Sequence, residues 1–237
     1  MPEFHKLTAF VDSLHYREKT GPQIDPKKGC FPFITISRQA GAGGNALAAI
    51  LDEKIQKLHT EPLFQGWHLC GQELCHMVGQ DPKLKDLVDS LKRTEYHSHA
   101  EDILSQLIHG GASQDVVVKK MFHLIRTFAL HGKVVFVGRG STFLTRDLPL
   151  GVHVYLEASM ESRVKRMMSV LSLDAKKARE AVEVKDKAKA ELVKTFFNKD
   201  IRDPLLYDSV WNTDRVSIEE IAKLLIEIVR DKAAGVC

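Results

Sequence analysis

The chain has 237 residues, 44% of them hydrophobic, enough to bury a core in one large α/β domain or two small ones. Its 34 basic and 31 acidic residues leave a net charge of +3, a balance that argues against bulk nucleic-acid binding. No apolar run approaches the ~18 residues of a membrane helix, the charged N-terminus lacks a signal-peptide core, and 4 cysteines are too few for a disulfide framework; a cytoplasmic protein without a membrane segment is expected.

Residues 4–18 carry an amphipathic helical pattern, followed by a linker rich in Gly, Pro and Lys, KTGPQIDPKKGCFP. A β-branched run predicts strand 1 over residues 33–37, and the next periodic stretch predicts helix over 43–58. TEPLF predicts a second short strand, and residues 68–109 predict mostly helix with a break at Asp81-Pro82. After a Gly110-Gly111 turn, Ser113 is a candidate cap for a helix that runs to His131 and stops at Gly132. KVVFVGRGS predicts a buried strand and a tight loop, and VHVYLEA another strand, with Ser159 as cap of the helix that follows. Residues 174–197 predict a charged helix and DSVWNTD a last strand. Ser217 and Glu220 form a capping-box pattern ahead of a helix over 218–232. Such alternation predicts a parallel sheet covered by helices on both faces, an α/β fold.

The stretch ITISRQAGAGGNALAAIL, residues 34–51, has the layout of a phosphate-binding loop: strand, small residues, helix. In the common pattern G-x-x-x-x-G-K-[ST], backbone N–H groups and a helix N-terminus cradle phosphate, a lysine adds a point charge, and a hydroxyl ligates magnesium. Ala40, Gly41, Ala42, Gly43, Gly44 and Asn45 supply the backbone, but Gly44 and Asn45 stand where the lysine and hydroxyl belong. Arg38, at the strand-to-loop junction, is a candidate replacement charge. The alternative is a glycine-rich turn that lets the helix pack closely on the sheet.

Four segments resemble, in order, motifs of the cytidylate kinase-like proteins, a branch of the P-loop nucleoside monophosphate kinases. ITISRQAGAGGNALA resembles the family's I-T-I-S-R-x-x-G-S-G-G-x-x-I-A, and VVFVGRGS its V-G-R-G loop. EASMESRVKRMM resembles its helix with arginines three apart, and DKAKAELVKTFFNKDIRDPLLYDSVWNT its lid and following strand. The resemblance runs from residue 33 to about 230. It implies a three-layer P-loop kinase core over residues 31–237, preceded by an N-terminal helix and linker over 1–30. It further implies a helical acceptor-binding insert over about 63–131 and a mobile lid over about 172–203. It also implies ATP and Mg2+ as cofactors, a CMP- or dCMP-like acceptor and Gly44 as a family trait.

By the same resemblance, Gly138 and Arg139 bind the acceptor's phosphate, a job suited to a forked guanidinium. Arg163 and Arg166, three apart on one helix face, approach the donor; a solvent-facing pair is the alternative. In the lid, Asp186 falls on the substrate side, and Lys187 and Lys189 join Arg38 as catalytic cations for charge that develops on the moving phosphoryl group. Gly140 stands where true cytidylate kinases carry an acid, and Leu192-Val193 and Phe196-Phe197 replace lid tyrosines. WHLCGQELCH brings Cys and His together, but its spacing fits no common zinc pattern, and a packed helix is expected. Two functions follow: a phosphotransferase acting on nucleotides or related small acceptors, or a regulatory module that binds nucleotide and transfers poorly. Nucleic acid and membrane are not expected partners; an oligomer is compatible with the sequence.

Overall fold

Val, Ile and Phe dominate the strands, and every described strand pairs in parallel. The computed structural model describes residues 31–71 and 113–235, with side chains from residue 121 in the helix that starts at Ser113. The expected N-terminal helix, the linker and most of the expected insert lie outside these residues. The order is β1 (Phe33–Arg38), α1 (Gly44–Lys57), β2 (His68–Cys70), α2 (Ser113–His131), β3 (Val134–Val137) and α3 (Ser141–Thr145), then β4 (Gly151–Glu157), α4 (Met160–Leu171), α5 (Ala175–Phe197), β5 (Ser209–Asn212) and α6 (Ile218–Ala234). The sheet order is β2-β3-β1-β4-β5. Ile36 pairs with Val137 of β3 and Arg38 with Leu156 of β4, so the loops leaving β1 and β3 emerge side by side at the carboxyl edge. That edge is where open α/β sheets hold ligands.

Alternation along β1 sends successive side chains to opposite layers. Ile34 and Ile36 join Leu47, Leu51, Val154 and Leu225 under α1 and α6. Phe33 joins Phe122, Phe128, Phe136 and Phe143 on the other face. Each such side chain taken out of water contributes about 1.5–3 kcal/mol. Thr35 and Ser37 share the second face as a polar seam: Thr142 Oγ1 lies 2.8 Å from Thr35 Oγ1 and 3.1 Å from Ser37 Oγ. The seam pins α3, and with it the loop after β3, to β1. His153 Nδ1 also reaches Thr35 Oγ1, and burial pulls this imidazole down to about 4, so it sits neutral in the core.

Two expectations need correction. TEPLF is not a strand: Pro62–Phe64 is a 3-10 turn with its proline in the first turn. Lys133 Nζ holds this turn by hydrogen bonds to the Pro62 and Gln65 carbonyls. The second strand lies instead at His68–Cys70, where the sequence predicts helix and where the insert was expected to have begun. Its identity comes from pairing with β3, from His68 opposite Val134 to Cys70 opposite Phe136. Local propensity does not report such pairing. The caps follow the sequence: Ser159 accepts from Ser162 N, and Ser217 with Glu220 makes the capping box.

Helix α5, the expected lid, is packed at both ends. Ala178 and Val182 are fully buried against Val164 and Met167 of α4, and Val193 and Phe197 enter the phenylalanine layer. Its middle turn, with Asp186, Lys187 and Lys189, faces the loop after β1.

Candidate nucleotide site

The loop after β1 turns its carbonyls outward. Arg163 Nη1 donates to Ala40 O (3.4 Å), Arg166 Nη1 to Gly41 O (3.2 Å), and Thr213 Oγ1 to Ala42 O (3.1 Å). Gln39 is tied to β4 at both ends, N to Leu156 O (3.0 Å) and Oε1 from Ala158 N (3.0 Å). Three successive carbonyls are engaged outside, and of the amides Ala40 N donates to Asp186 and Ala42 N to Gln39 O, which leaves the glycine amides for the inside of the turn. Gly41 and Gly43 adopt φ of 78° and 93°, and their amides donate no hydrogen bond among the described residues. The first amides of α1, at Gly44 and Asn45, have no intrahelical acceptor by construction. This is an anion cradle built from backbone. Both positive-φ glycines are fixed by contact as well as conformation. A Cβ on Gly41 would stand 2.6 Å from Arg163 O, and one on Gly43 would stand 2.8 Å from Ile218 Cδ1.

Arg38 ends β1 beside this cradle. Its stem crosses Gly44, where a Cβ would lie 2.8 Å from Cγ and 2.9 Å from Cδ, and its Nη1 abuts Gly138. Among the described residues it makes no hydrogen bond and no ion pair through its guanidinium. Burial first, and the nearby Arg139 second, lower its hold on the proton. Arginine stays charged regardless, so among the described residues the site carries a half-buried cation with no carboxylate partner. Arg139 sits at φ 60°, a strained conformation for a non-glycine residue, between Gly138 at 75° and Gly140 at 71°. Its side chain is exposed.

Asp186 clamps α5 to the loop. It accepts from Ala40 N (2.6 Å), Arg163 Nη1 (2.5 Å) and Lys189 Nζ (3.3 Å). Arg163 Nε also donates to Ala158 O, and Arg166 to Thr213 Oγ1 and O. The two arginines therefore brace the loop from outside, and the face they share is neither the solvent-facing one nor aimed into the cradle. A cleft of about 310 Å³ opens between loop and α5; Arg38, Arg163, Lys187, Lys189 and Arg202 bring five cations to its walls against the carboxylate of Asp186. Lys187 is exposed and 3.9 Å from Glu191. Tyr155 lines the floor; burial pushes its phenol up to about 12, which keeps it protonated and able to donate. Arg202, Tyr155 and Thr213 were missed in the sequence. Arg202 had a signal, since it directly precedes the Asp203-Pro204 step of the lid motif.

Burial pushes Lys189 down to about 8, with Asp186 opposing and Arg38 adding to the shift. Its charge is thus half lost near pH 8, and polyphosphate binding should weaken as pH rises from about 7 to about 9, whereas Lys189→Gln should flatten that slope. Calorimetric titration with ATP across this range checks it; an equal slope in the variant would refute the assignment. The stability term has the opposite trend. Between about 8 and the ordinary 10.5 the unfolded chain holds a proton that the folded chain has released, so folding gains as pH rises through that window.

Among the described residues, a parallel sheet of five strands, a loop with outward carbonyls and a cation-walled cleft define a P-loop kinase-type α/β protein. The profile of the cytidylate kinase-like family matches residues 33–215, and the chain belongs to that family. A cytidylate kinase from Staphylothermus marinus is 24% identical over 128 residues, 53% of this chain and 69% of that protein. An uncharacterized protein from Eubacterium ventriosum has the same fold: TM-score 0.66, 19% identity, 85% of this chain and 99% of that one. A shikimate kinase from Bacteroides thetaiotaomicron matches more loosely, at TM-score 0.44 and 14% identity over 85% of this chain and 99% of its own. Among the described residues, no helix is long and apolar enough to cross a membrane.

Proposed function

We propose that the chain is a phosphotransferase of the nucleoside monophosphate kinase type, which moves the γ-phosphate of ATP to a CMP- or dCMP-like acceptor or a related small phosphate. The observation that supports it best is the Arg38–Arg139 pair at the junction of the loops after β1 and β3: Arg38 half-buried, Arg139 exposed and lowering its neighbour's hold on the proton, and neither with a carboxylate partner among the described residues. Like charges are held together at a cost that a bound anion between them removes. In this reading the loop Ala40 to Asn45 holds the donor phosphates through the amides of Gly41, Gly43, Gly44 and Asn45, while the Ala40 and Ala42 amides, bonded to Asp186 and to Gln39 O, fix its shape. Arg38 with Lys187 and Lys189 supplies charge to the phosphoryl group in flight, and Gly138 and Arg139 receive the acceptor. Asp186, assigned by resemblance to the substrate, instead orders Lys189 and the loop.

Magnesium fits this site through the nucleotide more than through the protein. The usual hydroxyl is replaced by Asn45, an exposed amide, and Asp186 is engaged by Ala40 N, Arg163 and Lys189. When bound, the ion neutralises phosphate charge. A second reading, a regulatory nucleotide sensor, is favoured by Gly44 without its lysine and Gly140 without an acid.

Titration with ATP, CMP and dCMP, followed by single-turnover transfer, separates the two; tight binding with magnesium and no transfer to any monophosphate favours the sensor. Arg139→Ala should weaken monophosphate binding by about tenfold or more, the loss of one charge-assisted contact of roughly 1.5–3 kcal/mol, and leave ATP binding nearly intact. Unchanged affinity for every monophosphate the wild type binds would remove Arg139 from the acceptor site.

A further inference from the structure

Gly44 poses a question that backbone conformation does not answer. Unlike Gly41 and Gly43, it has no positive φ; it opens helix α1, where alanine is intrinsically the better residue. The nearest obstacle to a side chain there is Arg38. A Cβ on Gly44 would lie 2.8 Å from Cγ, 2.9 Å from Cδ and 3.1 Å from Nε of Arg38, all closer than Cβ atoms normally approach. The arginine is held in that lane from its far end too, because its Nη1 rests against Gly138 at φ 75°, where a side chain would displace it.

The position of Arg38 in the loop gives this contact a meaning. Counting G-x-x-x-x-G-K back from Gly44 and Gly43 puts the pattern's first glycine at Arg38. So the chain carries a long cation where the pattern has glycine, and glycine where the pattern has a long cation, and the two residues touch across the loop. We infer that Arg38 and Gly44 are a transposed pair: the phosphate-facing cation of the loop has moved from its seventh position to its first, and side chains at the two positions exclude each other. The ligand is the terminal phosphates of a nucleoside triphosphate, so this half rests on the proposed function; the steric exclusion does not.

The transposition changes the geometry of the charge. A lysine at 44 would stand on α1 and serve the donor alone. Arg38 stands on the central strand and spans from Gly44 of the donor loop to Gly138 of the acceptor loop, so one guanidinium fork reaches the phosphates from between the two substrates.

Two double-variant cycles test it. In the first, thermal melting is read on the full chain without ligand. Gly44→Ala should lower the melting temperature when Arg38 is present and raise it in an Arg38→Ala background, where only helix propensity remains. A rise of equal size in both backgrounds overturns the exclusion, whether or not the protein binds nucleotide. In the second, single-turnover transfer from ATP with magnesium is read for Gly44→Lys, Arg38→Gly and the double variant, which restores the common pattern at both positions. Each single variant should be slow, by crowding or by lost charge, and the double variant at least about tenfold faster than either. A double variant no faster than its slower parent overturns the transposition of charge. Wild type that neither binds nor turns over ATP overturns that half together with the proposed function, while the melting cycle still decides the exclusion.

Discussion

Arg38→Ala is expected to slow single-turnover phosphoryl transfer by about 10²-fold or more, while ATP affinity falls far less. The first magnitude is that of removing one donor aimed at charge that develops in the transition state. The second follows from the proposed mode of binding, in which the glycine amides and the first turn of α1 hold the ground-state phosphates and are untouched by the substitution. Among the described residues Arg38 pairs with no carboxylate, so its removal frees no buried charge there. It relieves repulsion with Arg139 instead, and melting temperature should hold or rise. The combination of a stable variant, near-normal binding and a large loss of rate is the signature of an interaction made in the transition state. Equal losses in binding and rate would make Arg38 a ground-state ligand. No loss in either would leave its unpaired charge without a role in transfer.

The features written in short-range patterns were legible in the sequence. Ile34 and Ile36 alternate with polar neighbours, Ser217 and Glu220 sit three apart, and the glycines follow a strand, so β1, α6 and the loop could be placed. What failed was settled by distant partners. His68–Cys70 is a strand because β3 lies beside it, and Pro62–Phe64 is a turn because Lys133, about seventy residues on, caps its carbonyls. The site divides along the same line. Spacing puts Arg163 and Arg166 on one face of α4, but it cannot say that this face meets the Ala40 and Gly41 carbonyls. The resemblance ties Asp186 to the lid, but its position on the Ala40 amide depends on α5 crossing the loop 146 residues away in sequence.

Arg163→Ala should unfold the chain more easily and disable the loop together. Its side chain is 7% exposed and its partner Asp186 29%, so the pair is largely shielded from water. Removing the guanidinium strips a donor from the Ala40 and Ala158 carbonyls and leaves Asp186 with Ala40 N and Lys189. Breaking one side of a buried pair costs about 3–5 kcal/mol; the exposed edge of Asp186 places this case near the lower figure. In a chain of this size about 3 kcal/mol corresponds to a fall in melting temperature of roughly 6–12 °C. The loop suffers because its glycine amides face inward only while its carbonyls are held outside. Ala40 O loses its donor, and Gly41, packed against the Arg163 backbone, loses the side chain that fixes that turn of α4. ATP affinity should then drop in proportion to the lost order, and Arg163→Lys, which keeps charge without the fork, should recover only part of both effects. Melting curves and ATP titrations on the two variants decide the matter. A fall in affinity with an unchanged melting temperature would mean that Arg163 meets the nucleotide directly, as the family resemblance implies, and that the brace is incidental.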